Sequence, residues 1–61
     1  MNKAETRQVA IIKTHHAIGN ITSAALGLSA LIRSAMTKRS KQELIAVAEE
    51  LKLVTHPEFI I

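Results

Sequence analysis

From Ala4 to Ile32, every seventh residue is apolar: Ala4, Ile11, Ile18, Ala25 and Ile32 recur without a slip. A companion row, Thr14, Ile21, Leu28 and Ala35, keeps the same period, and Ala10, Ala17, Ala24 and Leu31 widen the face. This spacing gathers side chains on one side of an α-helix. The opposite side carries Glu5, Thr6, Gln8, Lys13, His16, Asn20, Ser23, Ser34 and Thr37, with Val9, Ile12, Leu26 and Ala30 as apolar exceptions. Ala, Ile and Leu dominate the apolar residues, and Phe59 is the one aromatic. Good helix formers therefore outnumber strand formers. Two glycines and one proline are too few for a turn-rich β fold. The fold class is all-α.

Asn2 followed by Glu5 has the capping-box spacing that opens a helix at Lys3. The stripe then predicts one long helix over about 3–36, a turn at 37–40 and a second helix over about 41–53. Ser40 with Glu43 repeats the capping-box pattern at the second start, and Leu44, Val47, Ala48 and Leu51 form that helix's buried stripe. Thr55-His56-Pro57 ends it, because proline disfavours helix at the residue before it. The segment 54–61 is an apolar tail, and Phe59, Ile60 and Ile61 are expected to dock on the bundle or on a partner. A competing break lies at Gly19-Asn20, where glycine suits the position just past a helix and asparagine suits an N-cap. Two preceding histidines suit a helix C-terminus. That break would give a compact three-helix bundle. The unbroken phase of the stripe through Gly19 favours the long helix.

A single domain of 61 residues without cysteine has no disulfide to stabilise it, and a chain this short is marginal on its own. The long helix would span roughly 50 Å and the short one roughly 20 Å, so the stripe from Ala4 to Ile21 would lack intrachain cover. Each isoleucine left in water forfeits about 1.5–3 kcal/mol. Self-association follows as an expectation: two hairpins packed antiparallel as a homodimeric four-helix bundle. Its contact residues would be Ile11, Ile18, Ile21, Ala25, Leu28, Ile32, Leu44, Val47 and Leu51. Gly19, Ser23 and Gly27, spaced four apart with Ala30 nearby, are small enough for close helix approach.

Charge is unevenly spread. Up to Lys41 there are seven cations (Lys3, Arg7, Lys13, Arg33, Lys38, Arg39, Lys41) against Glu5 alone. Beyond it, Lys52 stands against Glu43, Glu49, Glu50 and Glu58. A basic arm and an acidic arm attract one another when folded back antiparallel. Arg33, Lys38, Arg39 and Lys41 cluster around the hairpin tip, where they suit phosphates or an acidic partner. The reading favoured over that one is a solvated turn whose cations favour a helix C-terminus. Against nucleic acid, there is no aromatic set for stacking bases and no complete helix-turn-helix.

Catalytic motifs are missing: no phosphate-binding glycine loop, no G-x-S-x-G and no H-E-x-x-H. Adjacent His15 and His16 point about 100° apart on a helix and do not chelate together; they read as helix surface, and His56 as a turn residue. The expectation is a non-enzymatic, cofactor-free and metal-free protein-interaction or regulatory module of the cytoplasm. It would bind itself and another protein, with nucleic acid as the second partner class. Thr14 to Ile32 lacks formal charge, but Asn20, Thr22, Ser23 and Ser29 interrupt it, so a membrane span is the third and least favoured reading. No signal-peptide pattern opens the chain.

Overall fold

The computed structural model describes residues 1–61 and contains three helices and no strand: α1 (Lys3–Ala17), α2 (Ile21–Ser34) and α3 (Lys38–Glu50). α2 is central and packs against both α1 and α3. The single long helix over 3–36 does not form. The chain reverses at Gly19-Asn20, and the result is the compact three-helix bundle, with principal extents of 29 × 20 × 17 Å.

α1 starts as its sequence dictates. The Asn2 side chain accepts from the Glu5 N–H at 2.8 Å, and the Glu5 carboxylate accepts from the Asn2 N–H at 3.0 Å. It ends in a reversal that satisfies its last carbonyls. Gly19 adopts φ +86°, its N–H donates to His16 O at 3.1 Å, and the Asn20 N–H donates to His15 O at 2.8 Å. These two bonds make a Schellman motif, with glycine at its left-handed position. The motif usually carries an apolar contact. Here the same pair is polar, with the Asn20 amide 3.2 Å from His15 Nδ1. Asn20 is then the residue before α2, but its side chain makes no cap hydrogen bond there.

The phase argument fails because the two halves of the stripe do different things. α1 buries Glu5, Val9 and Ile12, while Ile11 and Ile18 are 46% and 72% exposed. α2 buries Ala24, Ala25, Leu28, Ser29 and Ile32. Val9 and Ile12, the apolar exceptions on the supposed solvent side, are what cover α2. Reversal gives α2 this cover within one chain, and the Schellman bonds leave little backbone polarity unpaired. Gly27 also finds its use inside the chain: a Cβ there would lie 3.5 Å from Ile12 Cγ1. Its small size serves the α1–α2 approach.

The second helix begins three residues earlier than expected. Thr37, not Ser40, is its N-cap, and its hydroxyl accepts from the Ser40 N–H at 3.0 Å. The turn accordingly lies at 35–37 and not at 37–40. Ser40 donates its own hydroxyl to the Glu5 carboxylate at 3.0 Å, linking the start of α3 to the start of α1. α3 ends at Glu50, before Pro57 has any influence, in a second Schellman motif. The Leu53 N–H donates to Ala48 O at 2.8 Å and the Lys52 N–H to Glu49 O at 3.1 Å. Lys52 occupies the left-handed position at φ 58°, and buried Leu53 and Ala48 form the accompanying apolar contact. Two further turns, closed by His56 N–H to Leu53 O and Phe59 N–H to His56 O, bring Phe59 half-buried against the core. Ile60 and Ile61 remain exposed.

Two glycine substitutions should separate turn from helix. Gly19→Ala meets no side chain but forces a left-handed conformation on an L residue, and should destabilise by about 1–2 kcal/mol. Gly27→Ala fits at ordinary contact distance and should stabilise by about 0.5–1 kcal/mol. Denaturant unfolding of both reads the difference; equal effects would sink the assignment of the reversal. Lys52→Gly relieves a left-handed penalty of roughly 1–2 kcal/mol. It also loses about 0.5–1 kcal/mol to glycine's chain entropy, and should raise the melting temperature slightly.

Candidate functional site

The fold uses most of the expected self-association residues internally. Ala25, Leu28, Ile32, Leu44 and Val47 are in the core, and Ile21 and Leu51 are half-buried against it. Of the nine, Ile11 and Ile18 alone are exposed. They lie on one row of α1 with Ala4, Arg7 and Thr14, spaced by threes and fours on the side opposite Glu5, Val9 and Ile12. No acidic residue belongs to this row.

The basic cluster is brought together and enlarged. Arg33 ends α2 and donates to the Ile60 carbonyl, holding the tail. Lys38, Arg39 and Lys41 are exposed in the opening turns of α3 and form no ion pair. This placement corrects the dipole expectation. Only Arg33 lies at a helix C-terminus; the other three stand where the α3 dipole is positive, and each is disfavoured there by up to about 1 kcal/mol. The Glu5–Ser40 hydrogen bond sets the start of α1 beside the start of α3, so Lys3 and Arg7 come to the same end of the bundle, Arg7 on the side of α1 facing away from Glu5. Sequence reasoning missed these two because it read α1 as continuing into α2 and so placed Lys3 far from the tip. The available signal was Glu5: it shares the row of Val9 and Ile12, at positions i, i+4 and i+7, and is 7% exposed.

Acid is nearly silent at this end. Glu5 is buried and accepts from the Asn2 N–H and the Ser40 hydroxyl. Glu43 makes the chain's one ion pair, with the Met1 amine at 2.5 Å. No basic side chain forms an ion pair with the acidic arm; the pair to Glu43 comes from the Met1 amine, with Arg39 acting on it from farther off. The amine's hydrogen bond, outweighing the opposing effect of desolvation, holds the Glu43 carboxyl below its ordinary value, and the charges of the amine and Arg39 add to it in lesser degree.

The histidines serve the backbone turns. His15 Nδ1 faces the Asn20 amide, and His56 Nδ1 accepts from the Glu58 N–H at 3.0 Å. No three metal-ligating side chains converge and no pocket opens in the surface. No helix is long and apolar enough to cross a membrane; the Thr14–Ile32 segment is divided between α1, the reversal and α2. Comparison with protein-family models, curated proteins and solved structures returns no match.

The Glu43 pair has a testable sign. A depressed carboxylate pKa contributes stability above the unfolded value, and this is lost as pH falls through the folded one. NMR titration should find Glu43 below the ordinary glutamate range. Acetylating the Met1 amine should move it back up, and no movement would exclude the amine as the cause.

Proposed function

We propose that the chain is a small, non-enzymatic protein-interaction module of regulatory type that self-associates through the outer face of α1. One observation carries the reading: Ile18 and Ile11, large and aliphatic, stand exposed on a single helical row, away from the core. The occupant that fits this row is a second copy of the chain. The row is symmetric about Ile11, since Ala4 and Ile18 are each seven residues away. In an antiparallel pair Ile11 meets its own counterpart, and each Ile18 lies over the small Ala4 of the other copy. The two helix dipoles then oppose, and Lys3 comes beside the C-terminal turn of the opposing α1, where a cation is favoured.

This pairing replaces the four-helix hairpin dimer, whose contact residues other than Ile11 and Ile18 now lie in or against the core. It is also a weaker one. The chain exposes 4073 Å² in all, and a standard interface takes about 800 Å² per partner. One helical row covers less than that, so the association is reversible and depends on concentration.

Sedimentation equilibrium tests it. Monomer and dimer should exchange in the upper micromolar range, and Ile11→Asp should abolish the dimer while leaving the thermal transition of the monomer nearly unchanged. A strict monomer at millimolar concentration would end the proposal.

A further inference from the structure

The end of the bundle where α2 gives way to α3 combines two properties that a merely solvated turn does not need together. The first is unpaired positive charge. Lys38, Arg39 and Lys41 open α3, Arg33 closes α2, and Lys3 arrives with the start of α1. Two acids at this end are occupied, Glu5 in buried hydrogen bonds and Glu43 with the Met1 amine, and exposed Glu58 stands two residues before Ile60 against five cations. Glu49 and Glu50 lie at the opposite end of α3.

The second property is exposed aliphatic surface. Met36, in the connection between Arg33 and Lys38, is 93% exposed. The Arg33 hydrogen bond to the Ile60 carbonyl brings Ile60 and Ile61 to the same end, and Met1 is fixed there by its amine. Four of the chain's eight large exposed apolar residues thus stand among its cations. All four face water, whereas Phe59 is half-buried against the core.

We infer that this end docks on an anionic lipid bilayer, its aliphatic side chains entering the headgroup region while the lysines and arginines meet lipid phosphates. Charge complementarity requires a polyanion, and the aliphatic residues decide which. Methionine and isoleucine offer a base no aromatic face for stacking, and a duplex backbone has no apolar layer to receive them. The boundary between headgroups and acyl chains receives both kinds of group at once, since long cationic stems reach up to phosphate level while apolar tips go deeper. Docking is peripheral. It uses the surface of a folded bundle and shares with the α1 self-association face only Lys3, none of that row's apolar residues.

Co-sedimentation of the full chain with vesicles tests the inference. Phosphatidylcholine vesicles containing phosphatidylserine should pellet the protein at low salt, and phosphatidylcholine alone should not. Each cation removed in Lys38→Ala and Arg39→Ala should weaken binding about fivefold, and Met36→Ser about tenfold. All three positions are exposed, and losing either cation relieves an unfavourable dipole interaction, so the variants should melt no lower than the parent. Ile11→Asp, which removes the proposed dimer contact, should leave monomer binding to vesicles intact. Failure to pellet with phosphatidylserine vesicles at low salt would overturn the inference. So would binding that ignores Met36→Ser and is matched by duplex DNA, which would move the surface to nucleic acid.

Discussion

The reversal at Gly19 is the constraint on which the other contacts depend. A left-handed residue turns the chain, and two backbone hydrogen bonds close the end of α1. Only then can Val9 and Ile12 reach α2, and only then does the start of α1 return to where α3 will begin. The turn is held by backbone geometry more than by side chains: Asn20 provides no cap for α2, and a Cβ on Gly19 would touch nothing. The position therefore demands a conformation, φ +86°, that glycine reaches without steric penalty. With the chain reversed, α2 acquires cover on two sides and becomes the centre of the core. Leu28, Ala24 and Ala25 are fully buried in it.

The rest of the architecture is secured by reuse of helix-end chemistry. Thr37 caps α3 and so releases the Ser40 hydroxyl, which is spent on Glu5. Glu5 thereby does two tasks with one carboxylate, capping its own helix and tethering α3 across 35 residues of chain. At the far end of α3 the same Schellman geometry recurs with Lys52 in glycine's place. The strain accepted at Lys52 delivers Leu53 to the core, and Leu53 is among the largest fully buried side chains. A chain this short has little apolar area to spare, so a turn residue that plugs the core is worth a backbone penalty of order 1 kcal/mol.

Fold class, the capping box at Asn2 and Glu5, and the buried stripe Leu44-Val47-Ala48 were legible because each is a local pattern with a local cause. The continuity of α1 was misread for a physical reason. A seven-residue spacing is preserved across any break that happens to leave the period intact, and the period says which residues share a side, not which side is buried. Ile11 and Ile18 looked like core and are surface, while Val9 and Ile12 looked like exceptions and are core. Glu5 was read for its capping role, and its position in line with Val9 and Ile12 showed that the same side faces inward. The Ser40 assignment failed because Thr37 and Ser40 offer the same hydroxyl three residues apart, and tertiary demand from Glu5 chose between them. The basic cluster was legible as four residues in sequence. Lys3 and Arg7 reached the same end of the bundle only through the reversal.

The surface that results is at odds with the bundle's own stability, and this bears on function. Three cations stand at the positive end of the α3 dipole, with Arg33 and Lys3 nearby, while Glu5 is buried, Glu43 is paired with the Met1 amine, and Glu58 lies out in the tail. Their mutual repulsion and the dipole act together against folding, by amounts comparable to a helix cap for each residue. An isolated domain under selection for stability alone would place acids in the first turn of α3, and α3 has none there. Water and salt screen such a cluster but do not reverse its sign. An apposed anionic surface does reverse it, turning a repulsion carried by the folded chain into attraction between chain and partner. The exposed aliphatic residues obey the same logic: Met36, Ile60 and Ile61 gain nothing in water and gain burial at an interface. Both unfavourable features are concentrated at one end, and contact with one kind of surface relieves both.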